Sequence, residues 1–144
     1  MKPLLFIAAA FSFSILVAQT PIDELQKQNI QYLEAQENEG YAFRSQIITE
    51  FDAAHASQNV NIKLSQEYTY IVVALGDSNI PSVDLDIKPV SKAKMETMPL
   101  DDNLAGAAHL VTPSKSGRFK ITINAAGLEG SKTGFISFMV LRKD

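Results

Sequence analysis

The chain has no cysteine and no tryptophan, and only 2 histidines. Without cysteine there is no disulfide framework, so the folded state relies on an apolar core. Thiolate-held zinc and a thiol nucleophile are excluded with it, as is a lipid carried on an N-terminal cysteine. A basic surface is also missing: 13 Lys and Arg stand against 16 Asp and Glu, for a net charge of −3. That balance argues against general binding of nucleic acid, which needs a cationic face along the phosphates. A long apolar run occurs once, from Leu4 to Val17 behind the positive charge of Lys2. It is shorter than the ~20 residues a membrane span requires. Its charged start and small residues ending at Ala18 predict a cleavable signal peptide over 1–18, with cleavage after Ala18 or Gln19. The expected product is a secreted or periplasmic protein without a membrane span, large enough for one core.

What remains divides by period. Residues 19–40 predict a helix: Thr20 caps, Pro21 suits the first position, Asp23 and Glu24 face the dipole, and Gly40 stops it. Its apolar residues, Ile22, Leu25, Ile30, Leu33 and Tyr32, predict a narrow packing stripe. From 41 to 144 the period becomes two. Val60, Ile62 and Leu64 alternate with polar residues, as do Val83, Leu85 and Ile87, and again Phe119, Ile121, Ile123 and Ala125. Tyr68–Leu75 and Phe135–Leu141 are apolar on both faces, so each needs cover on both sides. The N-terminal helix is the expected cover for the outer side.

Two weaker strands are predicted over Phe43–Phe51 and Ala107–Val111. In the first, Ile47, Ile48 and Phe51 suit a helical stripe equally well. Ser91–Gly106 reads as a long polar loop with a short strand near Lys94–Thr97, and Gly127–Gly130 as the turn of a terminal hairpin. The fold class is mainly β: a jelly-roll-like antiparallel sandwich of seven or eight strands behind one helix.

The order of motifs resembles the bacterial pre-peptidase C-terminal domain and related small exported proteins. The likeness rests on Tyr68-Thr69-Tyr70, Gly76-Asp77, Asp84-Leu85-Asp86, Ser116-Gly117-Arg118-Phe119 and Gly134-Phe135, within roughly Phe43–Arg142. It implies a jelly-roll-type sandwich and a non-catalytic binding or stability module, with calcium on the aspartates in some members. This chain departs from the pattern in lacking the cysteines of some relatives and in carrying no attached hydrolase.

Asp77, Asp84 and Asp86 are the candidate metal site, joined by Asp101 and Asp102 from the long loop. Asp84 and Asp86 are two apart on one strand and share a face. Calcium takes six to eight oxygens, which grouped carboxylates supply. The alternative is solvated charge on an edge strand plus an aspartate in a turn. His55 and His109 lack the companions of a catalytic zinc site or a nucleophile and base. Ser91-Lys92-Ala93-Lys94 and Lys132-Thr133-Gly134 match motifs of penicillin-recognising enzymes, in a chain too short for that fold. Tyr32, Tyr41, Tyr68 and Tyr70 are candidates for stacking a sugar or peptide. Tyr70 is also suited to the core, and Tyr68 to holding a loop by its hydroxyl. The expected function is an exported, non-catalytic module binding a partner protein, a cell-surface polymer or calcium. The competing expectation is an envelope protein that assembles through its helix or an edge strand, and a small hydrolase ranks last.

Overall fold

The computed structural model describes residues 21–89 and 92–144. The signal peptide expected over 1–18, the capping Thr20 and Ser91 of the serine–lysine motif lie outside the described residues. One helix, α1 (Pro21–Asn38), precedes eight strands: β1 (Ala42–Asp52), β2 (Ser57–Leu64), β3 (Thr69–Gly76), β4 (Ser82–Pro89), β5 (Ala93–Met98), β6 (Gly106–Pro113), β7 (Gly117–Ala126) and β8 (Thr133–Lys143). They form a five-stranded sheet in the order β1-β8-β3-β6-β5 and a three-stranded sheet in the order β2-β7-β4. Every pairing is antiparallel.

The pairs β1/β8, β2/β7 and β3/β6 nest inside one another along the chain, as in a jelly roll. The nesting stops at β5, which folds back on β6 instead of pairing with β4. Five strands therefore face three. β7 and β8 belong to different sheets, so Gly127–Gly130 sits in a crossover between layers and not in the terminal hairpin that the sequence suggested.

The two-faced strands are explained by two cores. Between the sheets, Tyr70, Val72 and Ala74 of β3 and Ile136, Phe138 and Val140 of β8 meet Val83, Leu85 and Ile87 of β4 and Phe119, Ile121 and Ile123 of β7. On the outer side, Ile71, Val73, Leu75, Met139 and Leu141 lie beneath α1, whose Leu25 is fully buried with Tyr32 and Leu33 beside it. The helix thus covers the face expected of it, but with a different stripe. Ile22 and Ile30 are exposed, Ile30 by 55%. At about 100° per residue, Ile30 lies about 140° around the helix from Leu25, whereas Asn29 and Tyr32 lie within about 40° of it. Asn29 accordingly takes the buried place, 1% exposed.

Gly40 ends α1 at φ 93°. The Tyr41 N–H donates to the Gln36 carbonyl and the Gly40 N–H to the Glu37 carbonyl, each at 3.0 Å, a Schellman closure. The Lys143 ammonium donates to the Glu39 carbonyl at 2.8 Å and ties this corner to the end of β8. The segment that the sequence left between helix and strand is a strand: β1 pairs with β8 along its length, with a bulge between Phe43 and Ser45. Pairing to a buried neighbour outweighs the helical spacing of Ile47, Ile48 and Phe51.

Candidate functional site

A concave feature with polar chemistry lies between α1 and the segment joining β5 to β6. Five helix residues, Gln28, Gln31, Tyr32, Ala35 and Gln36, recur at three- and four-residue spacing and form one wall. Pro99, Leu100, Asp101, Asn103 and Leu104 form the other, enclosing about 430 Å³. That is within the range of small-molecule sites.

The second wall is held from below. Leu100 and Leu104 pack into the cluster under the helix. The Leu104 N–H closes a turn on the Asp101 carbonyl at 2.9 Å, and the Gly76 N–H donates to the Ala105 carbonyl at 2.7 Å. Gly106 makes the seat possible. A Cβ there would stand 2.8 Å from the Ala74 carbonyl oxygen and 2.9 Å from Leu100 Cδ1.

At the inner wall, Gln28 Oε1 and Tyr32 Oη are buried without a hydrogen-bond partner. Burial, with a smaller contribution from the neighbouring Tyr41 phenol, pushes the Tyr32 hydroxyl up to about 12. It stays a neutral phenol, able to donate and accept. Burial followed by the Glu39 carboxylate raises Tyr41 as well. Apart from Asp101 the lining is uncharged: amides, a phenol and aliphatic carbon. Such a set hydrogen-bonds in both directions to hydroxyl and amide groups.

The residues singled out for metal divide: Asp84, Asp101 and Asp102 share one hollow, and Asp77 and Asp86 lie outside it. Asp77 is 2% exposed, and its carboxylate accepts from the Asn79 N–H at 2.9 Å and the Phe135 N–H at 2.8 Å. It pins the β3–β4 turn to the start of β8. Asp84 and Asp86 do share one face of β4, but it is the solvent face, where Asp86 lies 3.5 Å from the Lys88 ammonium. Asp84, Asp101 and Asp102 line a second hollow of about 470 Å³ with Thr97 and His109. Among the described residues, no three Asp, Glu or His side chains are arranged to hold a metal ion. Asp77 in particular is committed to backbone amides and does not fit a calcium ligand in this arrangement.

The histidines are apart. His55 is exposed at the β1–β2 turn, with Nδ1 3.1 Å from Asp52 Oδ1. The His55 backbone N–H, then its ring, hold the Asp52 carboxyl below the usual range. His109 stands on β6, opposite Thr97. Of the tyrosines, it is Tyr70 and not Tyr68 that holds a loop: the Ser65 N–H donates to Tyr70 Oη at 2.9 Å. Tyr68 lies under the Arg142 guanidinium, 4.0 Å from the ring centre.

No family model, curated protein or solved structure matches the chain. The likeness to pre-peptidase C-terminal domains therefore rests on its short motifs alone. No described helix is long and apolar enough to cross a membrane.

Proposed function

We propose that this protein is an exported, non-catalytic binding module that holds a neutral, hydroxyl- or amide-bearing ligand, such as a saccharide unit of a cell-surface polymer, between α1 and the 99–104 segment. The observation that carries the reading is the amide- and phenol-lined cleft of about 430 Å³, with Gln28 Oε1 and Tyr32 Oη unpartnered in its wall. These two atoms have almost no accessible surface in the free protein, so a ligand hydroxyl pairs with them only as their side chains turn toward the cleft, and that pairing removes the cost of a buried, unpartnered polar group. The rigid sheet behind the cleft supplies preorganisation. Two features favour binding over catalysis. His55 pairs with Asp52, and no serine or threonine hydroxyl among the described residues bonds to either histidine. Export rests on the N-terminal leader pattern.

Amide NMR of the isotope-labelled protein, titrated separately with chitotriose and maltotriose, tests the reading. Saturable shifts that cluster at Gln28, Tyr32 and Asn103, and disappear in Gln28→Leu and Tyr32→Phe, are expected with at least one of them. Shifts confined to other surfaces, or none with either sugar, would refute it.

A further inference from the structure

The two open sheets leave four strand edges among the described residues: β1 and β5 on the larger sheet, β2 and β4 on the smaller. An exposed edge presents unpaired N–H and C=O groups and is a template for another strand. Three of the four are blunted. β1 carries the bulge between Phe43 and Ser45. β2 carries a single charge, Lys63, opposite Arg118 of β7, so it has no acidic residue to complement a cation on a second copy. β4 carries Asp84, Asp86 and Lys88 on its solvent face and ends in Pro89, which has no N–H to give to a further strand.

β5 differs. Its pairing with β6 is unbroken from Ala93 to Met98, with no proline or bulge inside it. Lys94, Met95, Glu96 and Thr97 are all exposed, Met95 by 41%. The register fixes their faces. Met95 stands opposite Val111, on the side of the inner core, while Lys94 and Glu96 point to the helix-bearing side.

We infer that β5 is a self-complementary edge through which two copies of this chain pair, antiparallel, across a two-fold axis at Met95. In that register Lys94 of each copy faces Glu96 of the other, twice, on one side of the sheet. On the other side Met95 meets Met95, and Ala93 meets Thr97. Opposite charges placed directly across antiparallel strands stabilise the pair, and like charges destabilise it. The same rule selects this register. A slip of two residues one way sets Lys94 against Lys94, and the other way Glu96 against Glu96. A slip of one turns Met95 to the opposite face. The Lys94–Glu96 contact within one copy, 3.0 Å between two exposed side chains, exchanges partners without loss. The result is one continuous sheet through both copies, with the interface isologous and closed. The partner is thus a second copy of this chain, chosen by its charge pattern.

The test uses light scattering of the purified protein over a concentration series, at low and high salt. The wild type is expected to rise toward twice the monomer mass, less so in salt, because the charge pairs are exposed. Lys94→Glu and Glu96→Lys are each expected to stay monomeric. An equimolar mixture of the two, and the double exchange Lys94→Glu/Glu96→Lys, are expected to regain the doubled mass. Because the chain has no cysteine, Met95→Cys adds a unique thiol. On oxidation it should give a disulfide-linked pair on a non-reducing gel, while Ile47→Cys on the opposite edge strand should not. A wild type of monomer mass at every concentration would overturn the inference. So would single charge variants that dimerise like the wild type, or a mixture that does not regain the doubled mass.

Discussion

Replacing Asp77 separates a structural carboxylate from a metal ligand. Two backbone N–H groups, from Asn79 and Phe135, lie 2.9 and 2.8 Å from its oxygens, and the residue is 2% exposed. Hydrogen bonds to a charged group contribute about 1.5–3 kcal/mol each. Two of them set a range of about 3–6 kcal/mol, from which the lost hydration of a buried carboxylate must be subtracted. Asp77→Ala is therefore expected to lower stability by about 3 kcal/mol, leaving the Phe135 amide in apolar surroundings. Asp77→Asn keeps one acceptor and turns an NH2 toward the other amide, for a loss of about 2 kcal/mol. Urea denaturation followed by circular dichroism reads both, with an unchanged slope showing that the same surface unfolds. The losses should be equal with millimolar calcium and with a chelator. A variant within about 0.5 kcal/mol of the wild type would refute the reasoning, since that is the scatter of surface substitutions. So would a loss that appears only when calcium is present.

Asn29→Leu is expected to raise stability by about 1–2 kcal/mol, because neither amide atom of this buried residue has a partner; a lower urea midpoint would contradict that. Tyr32 carries an alkaline signature. Its hydroxyl is raised in the fold from 10.0 to about 12, so the neutral form is favoured there. Its contribution is complete below about pH 10 and is lost as pH climbs through about 12. In thermal melts between these values, Tyr32→Phe should lose less stability than the wild type, and equal slopes would contradict the assignment.

The strands were legible where one face is polar. Val60-Ile62-Leu64, Val83-Leu85-Ile87 and Phe119-Ile121-Ile123 follow period two because each has one solvated side. The continuous apolar runs of β3 and β8 announced a second layer, and α1 supplies it. Local pattern failed where tertiary pairing decides. Nothing near β1 distinguishes strand from helix until β8 lies beside it, whereas the short strand expected near Lys94–Thr97 is β5, one residue longer at each end. The placement of β7 and β8 in different sheets is likewise set by long-range pairing. The cleft was the least legible feature. One signal existed, the polar stripe Gln28, Gln31, Tyr32, Gln36 at helical spacing. Attention to apolar residues favoured Ile22 and Ile30, which point to solvent. The opposing wall joins the helix only through the packing of Leu100 and Leu104.

The eighth strand is flanked on both sides. β8 sits between β1 and β3, and lends side chains to both cores. Until Thr133–Lys143 arrives, β1 has no neighbour in its sheet, and α1 lacks Met139 and Leu141 as part of its floor. β1 and α1 therefore cannot complete their packing until residues 133–143 have been made, and the pairing that closes the fold joins segments far apart in the chain. The same wiring makes the chain intolerant of C-terminal trimming: loss of β8 would dissolve the molecule and not shorten it.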